Sequence, residues 1–380
     1  MLLRDAKIRS ILIQIVIIGG FLAFLALLGV SAATYLKARG IPIGLDFLWR
    51  PADFTISETV LAYSPRDPAW WAVVVGIANT LFISAIVLVL SSILGLVVGV
   101  GRLSDNPLVN GSCRVWVEIA RNSPAIILLI FVYALWWKIL PQVQQAWTLA
   151  PGVYLSVRGL VMPSVSFGLS SWTWLLTPAF VGLLYGARVL AAQRQAATGM
   201  RPAYVPLTAA AGILMIAGLF WLLGATPTVD WPERRRANFF GGIELTPELT
   251  TILLGLTFYT AGFIAEIIRG GILAIPKGQW EAAKAVGLHQ RQILRLIIIP
   301  QALRIILPPL TSQYINVIKN STLAIAVGYQ DFMTVVGTLI NKSSHAIEGI
   351  LIILGVFLII NLALSALLNW FNGRMAIVER

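Results

Sequence analysis

The sequence predicts an all-α polytopic membrane protein, with about eight transmembrane helices and both termini in the cytoplasm. Three observations carry that prediction. Hydrophobic residues fill 58% of the 380 positions and charged residues only 12%, whereas a soluble domain has about 25% charged residues. The apolar residues gather into about eight runs of roughly 20 residues, the length a helix needs to cross a ~30 Å hydrocarbon layer. The formal charge of +12 is concentrated in alternate connections, which assigns those connections and both chain ends to the cytoplasmic side.

The runs lie near 10–32, 72–99, 124–140, 172–188, 206–224, 249–268, 304–327 and 349–371. The first is too long for the apolar stretch of a secretory signal, and no small-x-small site follows cleanly after Ala33, so a retained helix is expected. Residues 37–71 read as an outer loop rich in proline and aromatics, with Trp49, Trp70 and Trp71 as interfacial anchors. In the second run Gly76, Ser84, Ser91, Ser92, Gly95 and Gly99 suit close approach of neighbouring helices. Asn79 in that run either lines a polar path or makes a helix–helix hydrogen bond. Residues 107–123 read as a helix on the inner face leading into the third run.

Residues 141–248 hold a loop with Pro141, Pro151 and Pro163, then runs four and five, joined by a basic turn over 191–204. Two extra spans leave the orientation of everything after them unchanged. Arg234, Arg235 and Arg236 break the charge rule in a loop assigned outside, partly offset by Asp230, Glu233 and Glu244. This run is either a solvated face or a contact for an outer partner protein.

Run six ends at Glu266, three residues before Arg269. A carboxylate there suits an ion pair at the base of the next loop, or contact with a solute. Run seven is the most informative. Pro308 and Pro309 bend or locally unwind it. At 100° per residue, Ser312, Gln313, Asn316, Lys319 and Asn320 fall on one arc of an otherwise apolar helix. A polar stripe with a cation at membrane depth is costly against lipid, so it faces protein or water. Lys319 would attract a carboxylate while the amides supply donors and acceptors. A buried Lys–Glu pair of purely structural purpose is the other reading.

Between these runs, residues 281–300 read EAAKAVGLHQRQILRLIIIP. Glu281, Ala282, Ala283 and Ala285 open a short helix whose alanines allow another surface to approach. Gly287 ends it in a left-handed turn. Ile293, Leu294, Ile297 and Ile298 then form the apolar face of a second helix, and Pro300 marks entry to the next run. This pattern resembles the EAA loop of ABC-importer permease subunits, with Ile299 where leucine is usual. The flanks Glu266-Ile267-Ile268-Arg269-Gly270-Gly271 and Pro276-Lys277-Gly278-Gln279-Trp280-Glu281, with Lys319-Asn320-Ser321-Thr322-Leu323 beyond, are similar to the polar and general L-amino-acid uptake family.

That resemblance implies a type I ABC-importer transmembrane fold and four regions. Residues 1–71 are an N-terminal helix and periplasmic loop, 72–140 the first part of the permease core, 141–248 an insertion, and 249–380 the second part with the coupling loop at 269–303. It implies ATPase coupling through Glu281, Ala282, Ala283, Ala285 and Gly287. The expected solute pathway is lined by Lys319, Asn316, Asn320, Ser321, Gln313, Asn79 and Glu266. The implied partners are an ABC ATPase dimer that binds ATP and Mg, a second permease subunit (a heterodimer rather than a homodimer), a periplasmic amino-acid-binding protein, the lipid bilayer and an L-amino acid. The implied place is the bacterial inner membrane.

The chain has no G-x-x-x-x-G-K-[ST] loop with which to cradle a nucleotide itself, so no cofactor is expected on it. Cys113 is the single cysteine and His289 and His345 are far apart. No catalytic constellation, metal set or nucleic-acid footprint is therefore expected. The remaining alternative is an ATP-independent secondary amino-acid carrier or channel, which would call for inverted repeats or several intramembrane carboxylates.

Overall fold

The computed structural model describes residues 6–40, 44–166, 186, 228–236 and 238–375. The expected spans at 172–188 and 206–224 and the turn at 191–204 lie outside these, Gly186 apart. The chain divides into two compact units, Met1–Ala134 with Thr251–Arg380, and Leu135–Thr250.

The first unit is helical. Helix α1 is Ala6–Ala38, and none of the described side chains in its apolar stretch Ile13–Ser31 is buried, as suits a helix clothed in lipid. Helix α2, Ala69–Gly101, starts after Pro68, whose extended conformation turns the chain into it. α3 is Pro107–Asn122, with Asn106 accepting a hydrogen bond from Leu108 N at 2.9 Å as an N-cap. α4 is Ala125–Ile139. The pair α3 and α4 is bent by 112° at the break, where Pro124 denies Ser123 the helical conformation.

Helix α5 is Pro247–Leu273, α6 Lys277–Ala285 and α7 Gln290–Ile293. A π-turn, Leu294–Ile298, joins α7 to α8, Ile299–Asn320, and a 3-10 turn Ser321–Val327 follows. α9 is Phe332–Ser343 and α10 is Ala346–Met375. Among the described residues five helices are long and apolar enough to cross a membrane, or six if the bent pair is one span. They coincide with the six expected runs that fall on described residues.

The small residues of α2 work at both ends. A Cβ on Gly76 would stand 2.9 Å from the Phe332 backbone, and one on Gly95 2.6 Å from Ile264. α9 therefore closes on one end of α2 and α5 on the other. α9 is an addition to the sequence reading. It is only 12 residues long, too short to cross, yet Phe332, Val335, Val336 and Leu339 are buried against α2, α10 and the 44–68 segment. That segment, expected as an outer loop, is accordingly packed: Ala52 and Ile56 join the same cluster, while Trp49 stays exposed.

The second unit corrects the all-α expectation. Its strands are β1 Trp147–Ala150, β2 Val153–Ser156, β3 Gly159–Met162, β4 Ser164–Ser166, β5 Thr228–Asp230, β6 Glu233–Arg235, β7 Asn238–Phe240 and β8 Ile243–Leu245. They form an antiparallel sheet in the order β1-β2-β3-β8 and the pairs β4-β5 and β6-β7. Val143, Ala146, Val161 and Phe239 make its core, with Tyr154 stacked on Phe239 at 5.2 Å. Two-residue turns at Pro151-Gly152 and Val157-Arg158 join β1 to β2 and β2 to β3, and Gly152 supplies the positive φ of 73° that the first turn requires.

Candidate functional site

The hairpin at 277–298 is built as its alanines and glycine dictate. α6 ends in a double closure: Leu288 N donates to Ala283 O at 3.2 Å and Gly287 N to Lys284 O at 2.9 Å. These are the two bonds of a Schellman cap, and Gly287 holds the required left-handed φ of 80°. Nothing lies within 4 Å of where its Cβ would be, so the backbone alone demands glycine here.

The two faces of α6 differ. Ala283 is buried against Ile293, Ile298 and Ala302, so it serves the hairpin's own packing. Glu281, Ala282 and Ala285 are exposed, and Val286 is 80% exposed. Among the described residues Glu281 enters no ion pair. The result is a small-residue surface edged by one free carboxylate and one apolar side chain.

The second arm differs from expectation. Pro300 does not separate a loop helix from a membrane helix: α7, the π-turn and α8 run on without a break from Gln290 to Asn320. Proline at 300 has no N–H to donate and its ring crowds the preceding turn. The widened π-turn just before it, closed by Ile299 N on Leu294 O, relieves that crowding. The helix also passes Pro308 and Pro309 without unwinding.

The polar stripe of α8 is half open. Ser312, Asn316 and Lys319 are exposed along one line with Pro308, while Gln313 and Asn320 are half-buried. Ser321 is turned inward, its hydroxyl donating to Ile318 O at 2.7 Å. Among the described residues no acidic group pairs with Lys319, so the Lys–Glu reading of that residue finds no partner.

Asn79 is fully buried. Its Nδ2 donates to Glu58 O at 2.8 Å and Gln330 O at 3.0 Å, and its Oδ1 accepts from Val60 N at 3.1 Å. Both donors are committed to backbone, which is the hydrogen-bonding alternative rather than a side chain turned to a path. Glu266 sits among three guanidinium groups. Arg269 donates to it at 2.6 Å, Arg102 is in direct contact, and Arg121 is 3.9 Å away. Only the Arg269 pairing is legible from spacing, because Arg102 is 164 positions distant.

Comparison with known proteins shows the family. Residues 200–377 match the family model described as "Binding-protein-dependent transport system inner membrane component". The chain is 41% identical to the general L-amino acid transport system permease protein AapQ of Rhizobium johnstonii, covering 99% of this chain and 94% of that one. It is 40% identical to the putative amino-acid ABC transporter permease protein YhdX of Escherichia coli, covering 99% and 96%. A solved structure titled "Crystal structure of an amino acid ABC transporter with histidines" aligns with TM-score 0.49 at 18% identity, over 80% of this chain and 94% of that one. The chain is a multi-pass membrane protein and belongs to the family of amino-acid ABC transporter permeases, the inner membrane components of binding-protein-dependent transport systems.

Proposed function

We propose that this chain is one of two permease subunits through which an ATP-driven importer carries polar or broad-range L-amino acids into the cytoplasm by alternating access. The observation that carries the reading is the exposed face of α6, with Glu281, Ala282, Ala285 and Val286, at the foot of a helix that also bears Lys319. A small-residue helix with a free carboxylate is suited to seat in a groove of a separate ATPase subunit, which holds ATP and Mg. Gly287 and Ala283 set the hairpin's angle and packing.

In this reading Lys319 takes the α-carboxylate of the solute, and Asn316, Asn320 and Gln313 bind its remaining polar groups. Ser321, Asn79 and Glu266 act through structure: Ser321 ends α8, Asn79 fastens the outer segment, and Glu266 gathers the arginines. The exposed stripe on α8 is costly against hydrocarbon, which supports a second permease subunit across it. The 141–248 insertion, absent from a minimal core, supports a heterodimer. The proposed layout has eight spans in all, with both termini inside a bacterial inner membrane and the remaining outer surface meeting an amino-acid-binding protein. The regions 1–71, 72–140, 141–248 and 249–380 are its working parts.

Reconstitution tests this directly. Uptake of labelled amino acids into vesicles is measured with and without ATP and a co-purified ATPase chain. Strict dependence on both is expected. Flux through this chain alone, without ATP, would establish a secondary carrier or channel instead.

A further inference from the structure

The charges around Glu266 do not balance. Arg102 from the end of α2, Arg121 from the end of α3 and Arg269 from α5 converge on one carboxylate, and among the described residues none of the three pairs with any other acid. Two of the guanidinium groups are held close to it. Arg121 stands off at 3.9 Å, with 45% of its side chain exposed against 15% for Arg102. A surplus of two positive charges at the end of membrane helices calls for an anion, because unbalanced charge in a medium of reduced dielectric is costly.

The helix that carries Arg121 is shaped for a membrane surface. α3 buries Val117 and Ala120. It is fastened to α5 by Trp116 stacked on Phe258 at 4.6 Å and by Ala120 pressed against Gly262, where a Cβ would come within 2.5 Å. Its outward residues Leu108, Val115 and Ile119 are exposed at seven- and four-residue spacing, one apolar line along the helix. Arg114 and Arg121 lie seven apart on a second row, roughly 120–140° around the helix from that line at the standard 100° per residue, Arg114 already paired with Glu118 at 2.8 Å. An apolar line on one side and a cationic row on another is the pattern of a helix lying in the plane of the headgroups. Of its two outward-facing arginines, Arg114 has a close carboxylate, whereas Arg121 has Glu266 at 3.9 Å and the Phe263 ring at 5.9 Å.

We infer that Arg121, backed by Arg102, is a seat for the phosphodiester of an anionic glycerophospholipid. Arg suits this ligand because its planar fork matches two phosphate oxygens. Basic clusters between membrane helices bind anionic headgroups by the same electrostatics. The inference rests on membrane residence alone and holds whichever solute is carried.

The test uses the full-length chain purified in neutral detergent. Native mass spectrometry counts retained lipid, and thermal unfolding is followed with dioleoylphosphatidylglycerol, dioleoylphosphatidylcholine or inorganic phosphate. Phosphatidylglycerol is expected to be retained and to raise the midpoint, and phosphatidylcholine to do neither. Arg121→Gln should weaken retention roughly five- to tenfold and abolish the rise. The lipid-free midpoint should stay near that of the parent, since Arg102 and Arg269 still hold Glu266. Arg121→Lys should restore part of the effect, and Arg114→Gln should leave it intact. Equal losses in Arg114→Gln and Arg121→Gln would reduce the site to a diffuse basic surface and overturn it. Inorganic phosphate matching the lipid at equal concentration would overturn the lipid as occupant in favour of a free anion. No response to phosphatidylglycerol in the parent chain would leave the surplus charge to an acidic partner protein and overturn it as well. Loss of ATP-driven uptake with lipid retention intact would bear on the transport reading and leave the lipid seat standing.

Discussion

Asn79 and Gln330 are 251 positions apart and joined by a 3.0 Å hydrogen bond from the Asn79 amide to the Gln330 carbonyl. The same amide nitrogen holds Glu58 O, and at the next residue Thr80 Oγ1 accepts from Phe332 N at 3.0 Å. One short stretch of α2 thus fixes both the outer segment and the start of α9. Asn79→Ala would remove three part-buried hydrogen bonds, to Glu58 O, Gln330 O and Val60 N, each worth about 0.5–1.5 kcal/mol. The expected result is a fall of several degrees in the unfolding midpoint in detergent, with the ATPase still co-purifying. A midpoint within error of the parent would show that water replaces the amide without loss.

Gly287 offers a cleaner test of the hairpin. Its surroundings are open, so Gly287→Leu acts through the backbone, at about 1–2 kcal/mol for the left-handed conformation. ATPase co-purification should weaken roughly tenfold, and Gly287→Asn, which tolerates that conformation, should weaken it less. Glu281→Lys should abolish docking while far-UV circular dichroism stays unchanged. Undiminished co-purification in all three would remove the hairpin from the coupling surface.

For Lys319→Met we expect uptake efficiency to drop roughly 10- to 100-fold, as loss of a charge-assisted hydrogen bond to a carboxylate implies. The ATPase should remain bound and its basal hydrolysis unaltered. Identical solute dependence in the variant and the parent would take Lys319 out of the pathway.

Asp331 predicts a pH effect. It caps α9, accepting from Thr334 N at 2.9 Å and Thr334 Oγ1 at 2.7 Å, yet its Oδ2 is buried with no hydrogen-bond partner. Burial pushes its carboxyl above the usual aspartate range, partly opposed by the Thr334 bonds. The folded chain therefore holds that proton more tightly than the unfolded chain does. The stabilisation is full below the ordinary aspartate value and is lost as pH rises through the raised folded value. Asp331→Asn keeps the cap, so it should be at least as stable as the parent at neutral pH and should lose this acid-side slope. Asp331→Ala should forfeit the cap, about 1 kcal/mol. A parent and Asn variant with the same slope in thermal unfolding from pH 4 to 7 would refute the assignment.

The legible parts of this chain are those where one local rule decides. The existence of α2, α5, α8 and α10 follows from continuous apolar length, though the boundaries of α8 do not, and the left-handed turn at 287 follows from a glycine after an alanine run. Helix α9 escapes because 12 residues are too few for a span, and its burial depends on Gly76 of a distant helix leaving room for Phe332. The strands of 147–166 escape because prolines and glycines suggest loop, although a two-residue gap at Pro151-Gly152 between alternating segments is a hairpin signal. Arg102 and Arg121 escape for a different reason: their shared carboxylate comes from another segment of the chain, and no spacing rule reaches that far. Asn79 shows the opposite failure. Its polarity inside an apolar run is evident, but only the structure distinguishes a fastener from a lining.

The π-turn ahead of Pro300 has a mechanical consequence. Because it lets the helical axis continue instead of ending at the membrane surface, the segment from Gln290 to Asn320 is a single rod of roughly 46 Å by the standard rise per residue. A lever of that kind has no slack joint between its grip and its working end. In the proposed importer, torque applied at the Gln290 end would reach Lys319 as rotation of the same body, and stiffness along the shaft, rather than a relay of neighbours, would set how faithfully it arrives.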